Sequence, residues 1–388
     1  LSIRFDKLGV VIALLIAYGA LVAPFATFRA NRIVPGEAKT ILAALPVGAG
    51  IALLVLMGVA AVIVLLKTPT LLRLATAAVA LVALALFVGM AATHLTPPEN
   101  TYARVSPASG FWILLFAFAL LAADSITRLR PQPVVRVLLL LVTLGGAAAI
   151  LISGFWDGLS ILKEYAGRAD VFWLEAGKHV TLALGSLFAS VAVGLPLGIL
   201  CHRVEPLRAA VLNTLNLIQT IPSIALFGIL IAPLGWIAVH VPGAAVIGIR
   251  GIGAAPAFVA LFLYSLLPVV ANTVVGLAGV PREANEAARG IGMTDRQRLF
   301  GIELPLAMPV ILTGIRIVLV QNIGLATIAA LIGGGGFGVF VFQGIGQTAM
   351  DLVLLGAVPT VVLAFTAAIV LDALIEMNAP QRNRGRTA

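Results

Sequence analysis

The chain has 388 residues, 61% hydrophobic and only 11% charged, with a mean hydropathy of +1.11. Soluble domains carry about 25% charged residues, so this composition excludes a water-soluble globular protein. The net charge of +9 comes without aromatic-interleaved basic patches, which argues against a nucleic-acid partner, and the single cysteine, Cys201, excludes an intrachain disulfide and a thiolate metal cage.

A helix needs about 20 apolar residues to cross a hydrocarbon core of about 30 Å. Stretches of that kind lie at 8–26, 47–66, 74–92, 110–126, 137–155, 180–201, 211–237, 254–280, 306–332 and 352–374, which predicts about ten transmembrane helices. These are continuous apolar runs, whereas a barrel strand alternates over about 10 residues, so the predicted fold class is all-α integral membrane. The first run has basic flanks, as a signal peptide does, but its apolar part is longer than a signal core and predicts an uncleaved span.

Basic residues favour cytoplasmic loops. With the N-terminus inside, sixteen of the 25 basic residues fall on the cytoplasmic side, among them Arg73, Arg128, Arg203, Arg282 and Arg296. Eight fall outside, and Arg316 lies within a span. Both termini are therefore expected in the cytoplasm, and an even number of spans agrees. Trp112, Trp156, Trp173 and Trp236 all fall at predicted outer ends, where an amphipathic ring suits the headgroup boundary.

Loop character divides the chain into an accessory membrane block of about five helices at 1–165, a second block of five at 166–378, and a basic cytoplasmic tail at 379–388. Few polar residues interrupt the first block, which reads as a scaffold. The second block carries polar side chains at depths where an unpaired group is costly. Asn213, Asn216 and Thr220 share one helix face with Gln219 beside them, while Asn272 lies in the eighth span and Gln321 and Asn322 in the ninth. These seven are candidates for lining a pathway, with interhelical hydrogen bonding as the alternative. Pro222 follows the polar face directly and predicts a kink or opening there.

Between the eighth and ninth spans lies the cytoplasmic segment PREANEAARGIGMTDRQRLFGIELP, residues 281–305. Its local chemistry predicts a helix, a turn and a second helix. Pro281 suits a first helical position, Glu283 and Glu286 follow in early turns, and Gly292 suits a left-handed stop. Thr294 then starts a second helix with Gln297 as its capping-box partner, and Pro305 opens the next span.

With Glu286, Ala287, Ala288, Gly292, Ile302, Leu304 and Pro305 at these spacings, the segment resembles the EAA loop of ABC importer permeases. The runs LNLIQTIPSIALFG (215–228) and LIGGGGFGVFVFQG, followed by Asp351 and LVLLGAVP, extend the resemblance to importers of glycine betaine, choline and other osmoprotectants. It covers about 180–376, and the extra N-terminal spans mark a longer subgroup.

The resemblance implies a C-terminal five-helix type I importer core in a bacterial inner membrane, working by alternating access. It also implies two cytoplasmic ABC ATPase subunits docked on the coupling loop, a second permease of the same or a related chain, and a periplasmic or extracellular substrate-binding protein. Lipid surrounds the assembly. The chain itself binds no cofactor, and ATP and Mg serve the partner ATPase. The run from Gly333 to Gly338 contains a formal GxGxxG, but no strand, turn and helix unit surrounds it, and no Walker A sequence occurs. An ion-coupled carrier is the rival class, although Asp124, Asp372 and Glu376 lie near span ends. A permease for amino acids or another small solute is the rival within the class. No HExxH spacing or paired nucleophile and base supports an enzyme.

Overall fold

The computed structural model describes residues 6–32, 34–97, 99–100 and 102–378, so the expected basic tail at 379–388 lies outside the described residues. The first part of the chain forms α1 (Lys7–Leu21), β1 (Ala26–Arg29), β2 (Glu37–Lys39), α2 (Ile41–Ala44), α3 (Val47–Leu65), α4 (Thr70–Leu95), β3 (Arg104–Pro107), α5 (Ser109–Leu129), α6 (Pro133–Ile152) and α7 (Ser160–Ala166). Then come α8 (Ala169–Arg203), α9 (Glu205–Thr220), α10 (Ser223–Ile229), α11 (Ile231–His240), α12 (Ala254–Ala278), α13 (Arg282–Gly290) and α14 (Asp295–Arg298). A π-helical turn at Leu299–Glu303 leads into α15 (Leu304–Leu325), a 3-10 turn at Ile328–Ile332, α16 (Gly338–Gly346) and α17 (Met350–Asn378).

Nine described helical segments are long and apolar enough to cross a membrane, and α1 is a shorter apolar helix of 15 residues. Two sequence expectations need correction. The seventh run, 211–237, is not one helix: α9 stops at Thr220, and Ile221 and Pro222 take extended backbone before α10 begins. The sixth starts eleven residues earlier than its apolar run, since α8 begins at Ala169. A small antiparallel sheet of order β2-β1-β3 accompanies the helices. Its strands are three or four residues long and sit in polar connections, where a search for long apolar runs does not register them.

Two compact units emerge. The first runs to Gln132 and takes in Leu141–Gly167; the second takes in Pro133–Leu140 and runs from Arg168. The first unit packs α1, α3, α4 and α5 around Ile12, Ile16, Leu53, Met57, Leu84, Leu114 and Phe118, all essentially inaccessible. Phe25, just before β1, meets Phe111 edge-on at 6.0 Å and ties the sheet to that core.

In the second unit α12 is the centre, with Ala260 and Leu261 buried beside Leu182 of α8, and Val269 beside Val318 of α15. The charge within a span is paired: Arg316 of α15 donates to Asp372 of α17. Arg136, at the start of α6, pairs with Asp372 and Glu376 as well. An ionised side chain in a span is tolerated only with such partners, so the four groups fasten α17 to α15 and to the first turns of α6.

Candidate functional site

The segment between α12 and α15 is built by local rules. Pro281 is the N-cap residue of α13, not its first helical residue as expected, and the helix runs from Arg282 to Gly290. Gly292 then takes φ +81°, a left-handed conformation in which a Cβ is strained, and the amide of Met293 bonds back to Ala288 at 3.1 Å. Thr294 caps α14 through a reciprocal box with Gln297: the Gln297 amide donates to Oγ1 at 3.3 Å, and the Thr294 amide donates to the Gln297 side chain at 2.8 Å.

Beyond the box the chain does not open a new helix at Pro305. The helix started at α14 runs through the π turn into α15 without a break, and the Leu304 amide reaches the carbonyl of Leu299. Proline lacks an N–H, and the wider turn just before Pro305 lets the ladder shift by one residue.

The α13 face divides cleanly. Ala288 is buried, Glu286 and Ala287 are exposed, and Ile291 is 80% exposed. Glu286 has no hydrogen bond or ion pair among the described residues. Phe300 adds a second large apolar side chain at 69% exposure. Ile302 is half-buried, Leu304 is buried in a cluster with Leu277, Val280, Ala307 and Ile311, and Pro305 is exposed. The chain thus presents a carboxylate, the small Ala287 and two bare apolar groups on one short unit.

A buried ionic cluster holds this unit in place. Glu303, 3% exposed, accepts from Arg298 Nε at 3.1 Å and from Arg203 Nη2 of α8 at 2.6 Å, while Arg298 also meets Asp295 at 2.8 Å. The cluster couples the α14–α15 helix to the end of α8. Sequence reasoning missed it. The one available signal was a Glu and an Arg five residues apart on a predicted helix, and nothing local identified Arg203 as the third member.

The seven polar candidates separate. Asn213, Asn216 and Thr220 lie on an exposed face of α9, and both asparagines lack hydrogen-bond partners among the described residues. Gln219 turns the other way, and its amide donates to the carbonyl of Tyr264 at 2.8 Å. Pro268 cannot supply the helical donor that this carbonyl would receive, so Gln219 replaces it. Tyr264 returns a bond from its hydroxyl to the carbonyl of Ile221 at the break in the seventh run. The break is thereby clamped to α12.

Asn272 bonds within its own helix, to Pro268 at 2.8 Å, and lies against Gly314. Asn322 is fully buried, donating to Ser186 at 2.9 Å and accepting from Ser265 at 3.1 Å. It links α8, α12 and α15, the arrangement expected of interhelical bonding. Gln321 is half-buried with no partner among the described residues.

At the other end of the unit the glycine run has a mechanical explanation. Gly333, Gly335 and Gly336 take φ of +80°, +78° and +87°. The turn they make aims two backbone amides at α8: Gly336 donates to Glu175 at 2.6 Å and Phe337 donates to His179 Nδ1 at 3.3 Å. Both acceptors are buried. No nucleotide pattern is needed to account for these glycines.

Two family descriptions match the chain: the N-terminal domain of ABC transporter permease YehY at residues 6–162, and the binding-protein-dependent transport system inner membrane component at 194–384. The osmoprotectant import permease protein OsmW of Salmonella typhimurium is 43% identical over 219 residues, which cover 56% of this chain and 94% of that protein. The choline transport system permease protein OpuBB of Bacillus subtilis is 38% identical over 194 residues, covering 50% and 82%. Among solved structures, an inward-facing MetNI methionine ABC transporter aligns with a TM-score of 0.47 at 22% identity, over 55% of this chain and 96% of that one.

Proposed function

The chain belongs to the family of binding-protein-dependent transport system inner membrane components and is an ABC importer permease, and from that premise we propose that it imports a quaternary-ammonium compatible solute such as glycine betaine or choline. The similarity to permeases named for osmoprotectants, choline and glycine betaine carries the substrate assignment. Exposed α13, with Glu286, unpaired among the described residues, beside Ala287 and Ile291, is the docking element for the ATPase. Movement there passes through the Arg203–Glu303–Arg298 cluster to α8 and α15.

In this reading both termini and α13 are cytoplasmic, and two ATPase subunits drive a pair of permeases, of the same or related chains. The exposed face of Asn213, Asn216 and Thr220 lines the passage between them, where neutral amides and a hydroxyl offer hydrogen bonds without trapping a cationic group. ATP and Mg are handled in the partner. A substrate-binding protein delivers the solute on the outer side.

Uptake of labelled glycine betaine and choline, in cells stripped of other routes, tests the substrate. Accumulation should require this chain together with its ATPase and binding protein. Equal uptake without the chain, or uptake of amino acids in place of these solutes, would remove the assignment.

A further inference from the structure

The first unit contains a cavity of about 480 Å³ that transport does not explain. It lies where the start of α1, the end of α3, the start of α4 and the end of α5 converge, at the limits of apolar helices. Among the described residues Lys7, Lys67, Arg73 and Arg128 line it, against one lining carboxylate, Asp6. A second carboxylate, Asp124, pairs with Arg128 at 2.8 Å, which leaves a surplus of two cations.

The arrangement is built. Arg73 is 3% exposed, donates to the carbonyl of Val64 at 2.7 Å and to Asp6 at 3.0 Å, and its Nε has no hydrogen-bond partner among the described residues. Asp6 is already committed as the cap of α1, accepting from Leu8 and Gly9. Burial pushes its carboxyl up, but the Gly9 amide, Arg73, Arg128 and the Leu8 amide outweigh that and hold it below the ordinary carboxylate range. It remains ionised and cannot satisfy further cations.

Lys7 and Lys67, both exposed, have no ion-pair partner among the described residues. α4 begins beside the cavity at Thr70 with no side-chain cap, so its positive first turn adds to the same field.

We propose that this cavity binds the phosphate of an anionic phospholipid headgroup, with Arg73 as the fixed base of the site and Lys7 and Lys67 as its adjustable arms. Basic pockets between membrane helices suit such headgroups, and each nearby lysine or arginine strengthens attraction to an anionic membrane surface. The position at the ends of apolar helices favours a lipid over a soluble phosphate, because acyl chains then lie along the hydrocarbon-facing surface. With the orientation proposed above the lipid belongs to the cytoplasmic leaflet; binding itself does not depend on that orientation or on the transported solute.

The test uses the full chain purified in detergent, with thermal unfolding followed on titration with phosphatidylglycerol, phosphatidylcholine or inorganic phosphate. Phosphatidylglycerol should stabilise the parent chain and phosphatidylcholine should not. A Lys7→Gln, Lys67→Gln variant should need on the order of tenfold more phosphatidylglycerol for the same shift. A control with equal charge loss elsewhere, Lys39→Gln with Arg250→Gln, should behave as the parent. Undiminished stabilisation of the Lys7, Lys67 variant overturns the site, equal loss in the control reduces it to net charge, and full reproduction of the effect by inorganic phosphate overturns the lipid as its source.

Discussion

Glu303 shows what a single buried carboxylate does when two arginines depend on it. Its side chain is 4% exposed and that of Arg298 5%, so neither charge has water to fall back on, whereas Arg203 at 37% does. Removing one member of a buried pair typically costs about 3–5 kcal/mol, while replacing both by apolar groups is often neutral. Glu303→Leu should therefore lower the unfolding temperature of the purified chain sharply, and Arg298→Met with Glu303→Leu should recover most of the loss. Equal melting of parent and Glu303→Leu would show that the cluster holds nothing together. The left-handed stop at Gly292 and the Thr294 box were legible in the sequence because each is a rule about neighbours within three residues. The Arg203–Glu303 bond was not, since its partners are 100 residues apart and only the packing of α8 against α15 brings them together.

At the scale of elements, the short α13 unit and the broken seventh run show how far local reading reaches. Pro222 announced an interruption, but its extent depends on Tyr264 and Gln219, a reciprocal pair across two elements that no periodicity records. In α13 the direction of the following helix is set by the backbone at Gly292. Gly292→Val places a β-branched residue in left-handed backbone at a cost of at least about 1 kcal/mol, and the chain should escape by reorienting α14. Membrane insertion should be normal, while uptake and substrate-stimulated ATP hydrolysis fall in a reconstituted system. Gly292→Asn, whose side chain tolerates that conformation, should retain more activity than Gly292→Val. Glu286→Lys should lower coupling without changing the melting of the isolated chain, because Glu286 has no partner among the described residues. Full coupled activity in both Gly292→Val and Glu286→Lys would mean that this segment is not the transmission element.

For the whole molecule, hydropathy was enough to identify a helical membrane protein because the lipid requires every crossing segment to satisfy its own backbone, which leaves helices as the solution for long apolar runs. The same reasoning was blind to the small sheet, whose β1 and β3 pair across the intervening α2, α3 and α4. Orientation rests on a different force, the retention of basic residues inside, and it decides whether α13 is reachable by a cytoplasmic ATPase. Cysteine labelling in intact cells tests it with little background, because Cys201 is buried. Leu174→Cys lies at 59% exposure near the start of α8 and should react with a membrane-impermeant maleimide from outside. Arg296→Cys in exposed α14 should react only after the membrane is permeabilised. The two sites sit at opposite ends of the helix-bound second unit, so each checks the other. If Arg296→Cys labels in intact cells and Leu174→Cys does not, α13 faces away from the ATP supply and the coupling role assigned to it fails, even though every contact within the loop would stand unchanged.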